Sequence, residues 1–200
     1  MQTARTVLWL AWLLLIAPFV FGGAIAQAER DLNARLHGEY AFTQIHFCVQ
    51  TTVGGHFGDD LSGGATTRTL SNEGFLTFHG DGTGSFDGKS LSINHTTMAV
   101  SEADFTCPLT YVVNPDGSFT TQLGCSGRVL SGSGKDSTYA VSDIELHGQL
   151  RPGGNLFIAN DTNPNVETFT LYPSGGGSLV SKRICGRSQT AIRIRHAEPR

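Results

Sequence analysis

Cys107-Pro-Leu-Thr-Tyr-Val-Val-Asn114-Pro115-Asp116-Gly117-Ser118-Phe-Thr-Thr-Gln-Leu-Gly-Cys125 contains a turn, two β-rich arms and a cysteine at each end. Pro115-Asp116-Gly117 fits a three-residue hairpin loop, a type I turn closed by a left-handed glycine. Asn114 then faces Ser118, and the residue numbers of every cross-strand pair sum to 232, as do those of Cys107 and Cys125. In that register the two cysteines form a non-hydrogen-bonded pair with Cα atoms about 4.5 Å apart, within reach of a disulfide. The segment therefore predicts a strand pairing, a Cys107–Cys125 bond and an oxidising compartment.

The N-terminus agrees with export. Arg5 is followed by an apolar run from Val7 to Phe21, broken only by Pro18. Ala26-Gln27-Ala28 and Ala24-Ile25-Ala26 are small-x-small cleavage sites, so residues 1–28 read as a signal peptide. The run is shorter than the roughly 20 residues of a spanning helix, and no stable membrane anchor is expected after cleavage. Residues 29–200 then form one domain, long enough for a core. With 107 paired to 125, Cys48 is left to pair with Cys185.

After a short helical stretch expected at 29–36, the helical period disappears. Brief β-rich runs alternate with Gly-rich turns. Tyr40 and Phe42 share one face of the first strand, and Ile45, Phe47 and Val49 take the opposite parity. A bulge near Thr43-Gln44 would bring all five inward. Hairpin turns are expected at 79–83, 114–117 and 151–154, and loops at 51–64 and 126–137. On the strand 138–150, Ala140, Ile144, Leu146 and Leu150 form one face. The fold class is all-β, an up-and-down antiparallel barrel of about eight to ten strands. Successive hairpins build a meander, closure removes its edges, and Cys48–Cys185 would join the first strand to a late one. The alternative is a two-sheet β-sandwich, whose crossovers would have to be 51–64 and 126–137.

Three segments carry a resemblance. Leu36-His-Gly38-Glu-Tyr40-Ala-Phe42, Gly74-Phe-Leu-Thr-Phe78-His-Gly80-Asp-Gly82 and Tyr111-Val-Val-Asn-Pro-Asp-Gly-Ser118 resemble the opening strand and hairpins of exported, lipocalin-like bacterial proteins, most of which have no assigned activity. The resemblance implies a calycin-type barrel and no reaction.

Chemistry-bearing patterns are sparse. None of His37, His46, His56, His79, His95, His147 and His196 has the spacing of a metal site. His56 with Asp59 and Asp60 reads as a solvated loop. Asp81, Thr83, Ser85 and Asp87 alternate as in a calcium loop but lack its closing glutamate, and 160–165 reads the same way. Gly124-Cys-Ser-Gly127 has no placed partners. Asp143, Glu145 and His147 form the solvent row of their strand, or an acid–base row if that face lines the barrel. No catalytic residue, metal or cofactor is assigned; the four cysteines are assigned to disulfides.

Residues 29–181 carry a net charge of −9 and residues 182–200 a net charge of +5. The basic end either neutralises the acidic body or contacts an anionic surface; nucleic acid is excluded as a partner of so acidic an exported chain. Three functions are compatible with the sequence. The first is a barrel binding a small apolar or amphipathic ligand. The second is a filled barrel acting as a structural or inhibitor-type envelope protein through its loops. The third is a barrel cyclase or isomerase, for which no residue pattern speaks.

Overall fold

In the computed structural model, residues 32–161 and 163–194 are described; the signal-peptide segment, Thr162 and His196 lie outside them. The nine strands are β1 His37–Gln50, β2 Thr66–His79, β3 Thr83–Asn94, β4 Val100–Val113, β5 Ser118–Gly132, β6 Thr138–Leu150, β7 Leu156–Asn160, β8 Val166–Tyr172 and β9 Leu179–Arg193. All neighbours are antiparallel, and β9 returns to pair with β1 from Tyr40↔Arg193 to Gln50↔Arg183. The sheet is an up-and-down barrel with no free edge, and the sandwich alternative is ruled out. β7 and β8 occupy one strand position end to end: both pair with β6 on one side and β9 on the other. Eight positions close the ring.

The opening hairpin forms as its residues dictate. The Asn114 N–H donates to Ser118 O at 2.8 Å, the Gly117 N–H donates to Asn114 O at 3.0 Å, and Gly117 is left-handed at φ 84°. Val113↔Phe119, Thr110↔Gln122 and Leu109↔Leu123 keep the expected sum. Cys107 and Cys125 are bonded with Cα atoms 4.1 Å apart, and Cys48–Cys185 bonds across the β1–β9 seam at 4.0 Å.

Three local expectations are corrected. β1 pairs without interruption on both sides, so there is no bulge at Thr43-Gln44. Gln44, His46 and Cys48 face inward, and Ile45 (60 % exposed) and Phe47 (55 %) face outward. Register shifts lie elsewhere: at Leu130 of β5, opposite Glu102-Ala103, and in β6, where Ser142-Asp143 opposes Gly124 and Asp143 takes a left-handed φ of 65°. The β6 bulge reverses the parity, so Tyr139 and Val141 rather than Ala140 join Ile144, Leu146 and Leu150 inside. The loop expected at 126–137 is mostly strand, because β5 runs on to Gly132. The short helical stretch expected at 29–36 is present as a turn in its described part, with the Arg35 N–H donating to Leu32 O at 3.1 Å; residues 29–31 lie outside the described residues.

The barrel interior has two halves. At the end that carries the 114–117 and 151–155 turns, Leu36 and Tyr40 are fully buried and the aromatic rings meet edge to face: Tyr40–Phe78 at 5.6 Å, Phe78–Tyr111 at 5.0 Å and Phe119–Phe157 at 5.1 Å. The N-terminal turn plugs this end. The Tyr111 hydroxyl donates to Leu36 O at 2.7 Å, and Asn33 Oδ1 accepts the Val113 N–H at 2.9 Å. The other end, ringed by residues 51–65, 95–99, 133–137 and 173–178, is polar inside.

Peptide mapping of the non-reduced protein will recover Cys48 linked to Cys185 and Cys107 linked to Cys125, with no 48–107 species. Replacing each pair by serine will lower unfolding stability by about 5 kcal/mol for the long loop and about 3 kcal/mol for the short one, read from urea midpoints.

Candidate functional site

The polar half follows from strand parity. On β9, Arg183, Cys185, Arg187 and Gln189 alternate inward; on β1, Gln44, His46 and Cys48 do so; β2 and β3 supply Asn72 and Ser90. β8 supplies Glu167, which is completely buried.

Glu167 is the hub. The Arg183 Nε–H donates to its Oε2 at 2.7 Å, and the Arg187 guanidinium pairs with its Oε1. Arg187 also donates to Asp161 Oδ2 at 2.7 Å. Asp161 reaches inward because the chain leaves the wall between β7 and β8. A lone guanidinium or carboxylate here would cost several kcal/mol of desolvation, so each is held by its partners. Burial lowers the Arg187 pKa from its usual value and raises that of Asp161, and the ion pairs oppose both shifts.

His46 lies beside this cluster. Its Nε2 is 2.5 Å from Gln44 Oε1 and 3.1 Å from Asn72 Nδ2, and the Gln44 amide donates on to Gln189 Oε1 at 3.2 Å. Burial first, then the charges of Arg187 and Arg183, hold the imidazole well below its ordinary pKa. It is neutral at physiological pH. His46 also converges with the sulfurs of Cys48 and Cys185, but those sulfurs are committed to the disulfide.

Above the cluster is a chamber of about 360 Å³ that opens between the loops. One wall is polar, with Arg68, Ser90, Asn94 and Arg183; the other carries Ala103, Val129, Tyr139, Phe169 and Leu171. The Arg183 guanidinium stacks over the Phe169 ring at 5.5 Å. Burial pushes the Tyr139 hydroxyl up to about 12, and it donates to Asp104 O at 3.0 Å. A smaller void of about 50 Å³, lined by His46, Asn72 and Ser90 among others, continues toward the aromatic half. A wider groove of about 610 Å³ lies on the outer face of β4–β6 and carries Asp143 and Glu145.

The sequence-derived candidates mostly fall outside the chamber. Asp143, Glu145 and His147 face outward, with His147 Nε2 2.9 Å from Glu145 Oε1, so the acid–base row does not line the barrel. His56, Asp59 and Asp60 are all exposed in their loop, and Asp60 caps the Ser62 N–H at 3.0 Å. Asp81 accepts from Thr83 and Asp87 from Ser85 and Thr106, so each is engaged in its own turn or strand pair. Ser126 lies on β5, away from the chamber lining. The basic end is partly internal: Arg183 and Arg187 are inside the barrel, and Arg193 stacks on Tyr40 at 5.3 Å. Sequence reasoning missed Arg68, Arg183, Arg187 and Glu167. A signal exists for two of them, since Arg183 and Arg187 share parity with Cys185. No protein-family model, curated protein or solved structure matches the chain.

Glu167→Gln will leave two buried guanidinium groups with one carboxylate between them and will lower stability by about 3–5 kcal/mol, measured by urea unfolding. Histidine linkage gives a second outcome. Unfolded His46 takes up a proton near pH 6.5, whereas the folded ring, its pKa depressed, does not. The unfolded state therefore binds more protons as pH falls, and stability present above pH 6.5 is lost below it, with a limiting slope of about 1.4 kcal/mol per pH unit. Comparing urea midpoints at pH 7.5 and 5.5, His46→Gln will show a smaller acid-induced loss than the parent.

Proposed function

We propose that the protein is an exported, lipocalin-like barrel that holds a small amphipathic molecule. The observation that carries this reading is the loop-end chamber of about 360 Å³, with one polar and one apolar wall. Its size is that of small-ligand pockets, which are mainly apolar with a few convergent polar groups. The aromatic half beneath is filled, so the ligand is confined to the upper half and is correspondingly short. The two disulfides fit an oxidising compartment, and the apolar N-terminal run with its small-x-small sites supplies the route there. The resemblance of the 36–42, 74–82 and 111–118 segments to exported lipocalin-like proteins supports the same reading. The acid and base candidates beneath the chamber are already engaged: Glu167 by two arginines, His46 by the Gln44 and Asn72 amides. That arrangement favours binding over turnover.

The neutral fluorophore N-phenyl-1-naphthylamine tests the reading. Saturable fluorescence enhancement at micromolar protein is expected. Ala103→Trp, which fills the apolar wall, will abolish it while leaving the unfolding transition cooperative. No saturable signal in the parent, or an undiminished one in Ala103→Trp, rejects the chamber as the binding site.

A further inference from the structure

Arg68 stands apart from the other internal charges. It projects from β2 on the inward parity of Leu70 and Asn72, and it lines the chamber. Its Nε is buried, yet among the described residues it has no hydrogen-bond or ion-pair partner. The charged side chain that shares the chamber with it is Arg183, a like charge. Among the described residues no aspartate or glutamate lines the chamber. Around it, Arg68, Arg183 and Arg187 face only Glu167 and Asp161 of the described carboxylates, so one positive charge is uncompensated. Ser90 Oγ, on a residue 7 % exposed, is a second buried polar atom without a partner, and it lines the same space.

Arg68 is half-buried with its Nε withdrawn from water; a guanidinium so placed without a carboxylate is favoured by an anion that meets it, and its fork of N–H donors matches carboxylate, sulfonate and phosphate oxygens. The exterior argues in the same direction. Residues 29–200 together carry a net charge of −4, so the overall field disfavours anions and favours cations. A positive chamber in a negative body selects by sign at the site rather than by general attraction. Val129, Ala103, Phe169 and Leu171 supply the surface for an apolar remainder.

We propose that the chamber recognises an anionic amphiphile, its charged group seated between Arg68 and Arg183 with Ser90 donating a further hydrogen bond, and its apolar part lying on the wall formed by Val129, Ala103 and Leu171. This inference rests on the reading of the chamber as a small-molecule site.

The test is competition against bound N-phenyl-1-naphthylamine at pH 8, on protein purified after export with both disulfides formed. The competitors are decanoate, decanol and decyltrimethylammonium, which share a chain and differ in the charge of the head. Decanoate is expected to displace the probe at a midpoint about tenfold or more below that of decanol, with the ammonium weaker than both. Arg68→Met will bring decanoate to the level of decanol while the neutral probe binds as before. Its thermal midpoint will not fall, because no partner of Arg68 is lost. Arg68→Lys, which keeps the charge, will retain a preference for decanoate. Equal displacement by decanoate and decanol in the parent overturns the assignment of an anion while leaving the ligand-holding reading intact. A decanoate preference that survives in Arg68→Met overturns the role of Arg68. A parent protein that binds no probe overturns the ligand-holding reading, and this inference with it.

Discussion

The Cys48–Cys185 bond lies inside the barrel, and most of the interior follows from that placement. Both cysteines are buried and stand directly opposite each other on β1 and β9. Side chains of a strand alternate strictly between faces, and the β1–β9 ladder runs without a bulge from Tyr40 to Gln50. An inward Cys48 therefore brings Gln44 and His46 in with it, and an inward Cys185 brings Arg183, Arg187 and Gln189. The covalent closure and the polar interior are one constraint seen twice. Glu167 and Asp161 are the carboxylates that make it tolerable, and the break between β7 and β8 is what lets Asp161 reach Arg187.

The two halves of the barrel divide the work of stability and chemistry. The plugged end holds interlocking rings and a hydrogen-bonded turn, with no charged side chain among its buried members. The open end buries ions whose desolvation cancels much of their attraction, and it contributes little net stability by itself. The disulfide at the seam ties β9, which carries Arg183 and Arg187, to β1, so the polar half need not be self-sustaining. Filling the lower half with aromatics also sets the depth of the upper chamber, because the smaller void beside His46 and Asn72 ends against Phe86 and Phe105.

The architecture is legible in the sequence because turn chemistry is decisive. Asn114-Pro115-Asp116-Gly117 determines a register, and the register pairs Cys107 with Cys125. By elimination Cys48 goes to Cys185, and a closed meander follows. Side-chain direction is less legible, because hydrophobicity and parity compete. Ile45, Phe47 and Val49 look like core, but they cannot face inward on the same unbulged strand as an inward Cys48. A disulfide inside the barrel already excludes that face. In β6 the difficulty is the opposite one: a bulge at Ser142-Asp143 interrupts what reads as regular alternation, and nothing but the tolerance of aspartate for a left-handed backbone hints at it. Arg68 leaves no local signal, since a single arginine in a Thr/Ser-rich strand reads as solvent-facing.

An interior of this kind is informative because it is not what stability alone would produce. Apolar side chains of similar volume can replace buried ion networks at little or no loss of stability, and a chain of this size has enough aromatic residues to fill its lower half. Among the described inward-facing charges of the upper half all are paired with one exception, and that exception faces the chamber that opens between the loops. Departures from local consistency concentrate at functional sites. The Glu167 hub satisfies Arg183 and Arg187 and so commits both of its carboxylate oxygens inside the wall. Arg68, one strand beyond the seam and opposite no carboxylate, keeps its donors for the chamber. Arg187 is thereby part of the wall, whereas Arg183, held at its Nε by Glu167, and the unpaired Arg68 both face the chamber.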